Sequence, residues 1–81
     1  MTVALTKAST KQLTSRAQAL FVSPLQPSEQ PAPEQIRAAI VTSLRTFRGA
    51  SGCAAKMATE FGEHPDQATD RMRWALQLLA A

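Results

Sequence analysis

Phe61-Gly62-Glu63-His64-Pro65 is the stretch on which the fold turns. Upstream of it, Cys53, Ala54, Met57, Ala58 and Phe61 recur at helical spacing, and downstream Ala68, Met72, Ala75, Leu76 and Leu79 do the same. The five residues between them hold a stop, a turn and a start. Gly62 is suited to close the first helix, because it adopts a left-handed backbone without a Cβ penalty. Pro65 suits the first position of the next helix, where its missing N–H would have no partner anyway. Asp66 then complements the positive end of the helix dipole, and His64 is expected to cap that helix.

The same signals recur toward the N-terminus. Ile36, Ala39, Ile40, Leu44 and Phe47 form an apolar stripe that opens at Pro33, with Gly49 expected as its left-handed cap and Ser51 as the cap of the third helix. Ser9 and Gln12 have the capping-box spacing, and Leu13, Ala17, Leu20 and Phe21 follow on one helical face. That face ends at Ser23-Pro24, since proline disfavours helix in the residue before it. The residues ahead of Ser9 are expected to fray. Pro24, Pro27, Pro31 and Pro33 mark an extended, semi-rigid spacer. Pro24-Leu25-Gln26-Pro27 has the spacing of a proline-rich ligand but lacks the flanking arginines of such ligands, and a plain linker is the simpler reading.

No alternating strand pattern competes, so the expected fold is all-α: a small bundle of about four helices. Residues 1–23 carry an N-terminal amphipathic helix, 24–33 a Pro-rich linker and 34–81 a trihelical core, all within one folding unit. The 44% hydrophobic and 19% charged content is that of a globular chain. At 81 residues the core is small and stability marginal, which favours pairing with a copy or a partner. The net charge of +3 is unevenly spread: no acid precedes Glu29, whereas Glu60, Glu63, Asp66 and Asp70 cluster around the last junction. Such mild basicity permits attraction to nucleic acid or acidic protein without requiring it. Cys53 is the single cysteine and has no internal disulfide partner. No apolar run approaches a membrane span and the N-terminus has no signal-peptide pattern, so a cytoplasmic setting is expected.

Ala54-Ala55-Lys56-Met57-Ala58-Thr59-Glu60-Phe61-Gly62 resembles the first helix and turn of helix-turn-helix DNA-binding domains. In that family a small residue stands four positions before a turn glycine, as Ala58 precedes Gly62. The resemblance covers residues 34–81, with Glu63 and Arg71 standing where the family has apolar residues. It implies a base-reading surface of His64, Pro65, Asp66, Thr69, Asp70 and Arg73, with Arg45, Arg48 and Lys56 free to meet phosphates. Arg45, Arg48, Lys56, Thr69 and Arg73 are therefore the candidate DNA contacts. Leu25-Gln26-Pro27-Ser28, the Phe61–Pro65 junction and Arg71-Met72-Arg73-Trp74 together resemble small actinobacterial proteins. That likeness implies a cytoplasmic bacterial protein and brings no activity with it.

Residues for chemistry are scarce. Cys53 could serve as an exposed reactive thiol at the start of its helix, but its place on the Met57–Phe61 face reads as core. One histidine and one cysteine make no metal site, and roughly 15 Å of helix separates them. No catalytic, cofactor or metal residues are assigned, no small-molecule substrate is evident, and an enzyme is not expected. Trp74 and Leu78 form a second apolar stripe on the last helix, so something must cover it: the first helix or another chain. Leu13, Leu20, Phe21, Trp74 and Leu78 are the expected partner interface, since tryptophan often dominates such contacts. The expected function is regulatory or scaffolding association with a protein partner or with itself as a homodimer. The alternative is a helix-turn-helix transcriptional regulator.

Overall fold

In the computed structural model, residues 2–80 are described, with side chains from residue 11 onward. The elements are α1 (Thr2–Phe21), a short 3-10 turn (Pro27–Glu29), α2 (Pro33–Thr46), α3 (Ala50–Glu63) and α4 (Pro65–Ala80). The described chain is an all-α bundle of four helices without strands. α1 starts well before Ser9, which lies inside the helix instead of capping it. The physical reason is the absence of Gly or Pro from the first twenty residues, so nothing there breaks a helix.

α1 packs against each of the other three helices, and α3 packs on α4. Ala17, Ala19, Leu20 and Phe21 are all buried. Ala17 and Ala19 are two residues apart, about 200° around the helix, so the last turns of α1 are enclosed from opposite sides. Leu20 and Cys53 are fully buried at the middle of the core, and the Phe21 and Phe61 rings stack with centroids 5.6 Å apart. Ala68 and Ala75 bring α4 in closely. The first helix thus covers its own body.

The expected spacer is not extended throughout. The 3-10 turn forms over Pro27–Glu29, the Gln26 N–H donates to Glu29 Oε1 (2.6 Å), and Gln30 follows with φ 48°. Pro27 presets the turn's first φ, and Glu29 supplies the acceptor for an otherwise orphan donor. Pro33 does open α2, where the Ala32 N–H donates to Gln35 Oε1 at 2.7 Å.

Two glycine assignments shift. α2 ends in a Schellman arrangement: the Gly49 N–H donates to Leu44 O (2.7 Å) and the Arg48 N–H to Arg45 O (3.4 Å). Arg48, with φ 62°, therefore holds the left-handed position expected of Gly49. Gly49 (φ 99°) instead caps α3, leaving Ser51 inside that helix. At the other junction Gly62 lies within α3 and is not in the left-handed region. Only His64 separates α3 from α4; its N–H donates to Glu60 O (2.7 Å) and its carbonyl accepts from the Ala68 N–H (2.9 Å). Pro65 is sufficient cause for the break, because it drives the residue before it out of the helical region.

Candidate association surface

Arg71 sets the position of α4 on α1. Its Nε donates to Phe21 O (2.6 Å) and its Nη2 to Ser23 O (2.7 Å), Leu25 O (2.8 Å) and, more weakly, Leu20 O (3.4 Å). The last carbonyls of a helix have no intrahelical partner and carry the negative end of the dipole. A planar guanidinium answers both needs at once, which a lysine could not do with the same geometry. Ser23 adds a hydroxyl bond to Leu20 O at 2.7 Å. The Arg71 guanidinium also sits 4.5 Å from the centre of the Trp74 ring, a cation–π contact. Burial lowers the Arg71 pKa from its ordinary value.

This arrangement redistributes the expected interface residues. Leu20 (0% exposed) and Phe21 (4%) are locked in the bundle's own core and are not free to meet a partner while it is folded. Trp74 is half-buried beneath Arg71 and against the core. Leu13 is 40% exposed on α1, and Leu78 is half-buried. Leu78 does not stand alone. It joins Leu79, Ile36 and Ile40 in a groove of about 350 Å³ between α1, α2 and α4, bordered by Arg16, Arg37, Pro31 and Pro33. Ile40 is a buried core residue (8% exposed) with half-buried Ile36 packed against that core, so the groove floor is the outer edge of the core; a groove assembled from three helices leaves no signature on any one of them.

The groove is electrostatically one-sided. Arg16 and Arg37 are exposed, and no carboxylate lines it. Among the described residues the ion pairs are Lys56–Glu60 (3.2 Å) and Arg73–Asp70 (3.8 Å), so neither groove arginine has an acidic partner. A smaller cleft of about 220 Å³ beside Arg71 contrasts with it, because there Lys56 is already neutralised by Glu60.

The five candidate DNA contacts are spread along α2, the α2–α3 junction, α3 and α4. Arg45 and Arg48 are exposed and outside the ion pairs; Lys56 and Arg73 each pair on their own helix. Thr69 turns its hydroxyl back to Pro65 O at 2.8 Å. Cys53 is fully buried, its Sγ 3.6 Å from Ser43 O, and burial raises its thiol pKa, the opposite of what a reactive thiol needs. Among the described residues no cluster of metal-binding side chains occurs, and no helix is long and apolar enough to cross a membrane. Compared with protein-family models, curated proteins and solved structures, the chain matches none.

Proposed function

We propose that the chain is a non-enzymatic, cytoplasmic module that acts by protein–protein association in a regulatory or scaffolding role. The observation that supports this is the aliphatic groove of Ile36, Ile40, Leu78 and Leu79 flanked by two unpaired arginines. Apolar surface rimmed by polar residues marks interaction sites on a protein. Affinity capture from the cells that make the protein tests it, using the intact chain, Leu78→Glu in the groove and Val41→Glu on exposed α2 surface outside it. A partner held by the intact chain and by Val41→Glu, and lost by Leu78→Glu, is the expected result. A partner set unchanged by Leu78→Glu contradicts the reading.

DNA recognition through α3 and α4 is the second reading, favoured by the exposed, unpaired Arg45 and Arg48. The first turns of α4 weigh against it, since Asp66 and Asp70 are exposed there and would repel phosphates. Titration with random duplex DNA at about 50 mM and about 200 mM salt separates the two, because phosphate neutralisation must weaken steeply with salt.

A further inference from the structure

Resting on the association reading, we infer that the groove's occupant is an acidic amphipathic helix of a different protein. The lining supplies two kinds of contact: an aliphatic floor and an arginine from each of two helices, Arg16 on α1 and Arg37 on α2. A helix with leucine-like anchors on one face and carboxylates beside them satisfies both. Neither common alternative for a peptide fits. Extended segments add to an open sheet edge, and the described residues contain no strand. Polyproline segments dock in aromatic-lined grooves, and no aromatic lines this one.

A second copy of the chain is a poor occupant. A two-fold contact through the groove would set Arg16 and Arg37 against their own counterparts. Four of the chain's six acids, Glu60, Glu63, Asp66 and Asp70, lie about the α3–α4 junction; Glu29 and Glu34 are exposed in the 3-10 turn and the first turn of α2, and neither lines the groove. Asp66 is roughly 18 Å along α4 from Leu78. A copy could offer the four junction acids only head-to-tail, a contact that does not close on itself. Phosphates of nucleic acid or lipid would satisfy the arginines but leave the aliphatic floor without a partner.

The test is fluorescence anisotropy of a labelled synthetic helix with leucines at i, i+3 and i+7 and flanking glutamates. It is run beside the same peptide with flanking lysines, a glutamate peptide with its leucines changed to glutamine, duplex DNA, and phosphatidylglycerol vesicles. The glutamate–leucine peptide is expected to bind at least about tenfold more tightly than either control peptide. Arg37→Glu, an exposed position whose reversal spares the core, is expected to invert the preference between the glutamate and lysine peptides. Equal binding of the two charged peptides, binding indifferent to Arg37→Glu, or tighter Arg37-dependent binding to vesicles or DNA would each overturn the inference. If no peptide binds while capture still yields a Leu78-dependent partner, the acidic-helix inference fails and the association reading stands. If capture yields none, the association reading itself fails.

Discussion

Arg71 joins distant parts of the chain through a single side chain. Its acceptors are backbone carbonyls of residues 20 to 25, at the end of α1 and in the turn that follows. Removing the guanidinium takes the donor from Phe21, Ser23 and Leu25 O, whereas Leu20 O keeps its bonds from Ser23; the cost is about 1–3 kcal/mol for each orphaned carbonyl that water does not reach. Arg71→Met is therefore expected to lower the unfolding free energy by about 3 kcal/mol, and Arg71→Lys to recover only part of the loss; urea unfolding followed by circular dichroism measures both. A loss within about 0.5 kcal/mol would place Arg71 among ordinary surface residues. Cys53 gives a prediction with a pH sign. Burial raises its pKa in the folded chain, whereas the unfolded thiol ionises near about 8.5. The stability it contributes is complete below that pH and is lost as pH rises toward and through the folded value. Between pH 7 and about 9.5 the unfolding midpoint should fall further for the natural chain than for Cys53→Ala. Equal falls would show that the thiol is not the cause.

At the scale of elements, three glycines carry opposite expectations. Gly49 caps the start of α3 at φ 99°, Gly62 sits in an ordinary helical turn with open space where a Cβ would go, and Gly52 lies hard against Phe47. A Cβ on Gly52 would run into the Phe47 carbonyl oxygen. Gly62→Ala should therefore stabilise by about 0.5–1 kcal/mol, the helix-propensity difference. Gly52→Ala should destabilise by more than about 2 kcal/mol, because backbone must move. Thermal unfolding of the pair measures both signs, and a destabilised Gly62→Ala would restore Gly62 to the turn role its position suggested. Here lies the boundary of what the sequence discloses. The apolar stripes and Pro33 and Pro65 mark the helices, since spacing and a missing N–H are local facts. Which glycine bears the strain is not local: Gly52 is constrained by the end of α2. The interior place of α1 had two readings, because an apolar stripe tethered by a proline-rich segment says that something covers it without saying what.

Over the whole molecule, most of the acidic surface is separated from the apolar, cationic groove. Four of the six acids, Glu60, Glu63, Asp66 and Asp70, gather around the α3–α4 junction, while the Arg16–Arg37 groove lies against the far half of α4. The individual groove residues were visible as apolar stripe members and isolated arginines, but their convergence depends on how three helices pack. Arg71 was equally hidden, because its partners are main-chain atoms, which have no letter in the sequence. A protein of this size has little surface to spare, and a cleft with matched apolar and cationic parts is its strongest candidate for selective recognition. The most direct measurement is a methyl-resolved NMR titration of the intact chain with the glutamate–leucine helix. The account predicts shifts concentrated at Ile36, Ile40, Leu78 and Leu79, with Val41 unmoved; shifts centred on Met57 of α3, or none at all, would contradict it.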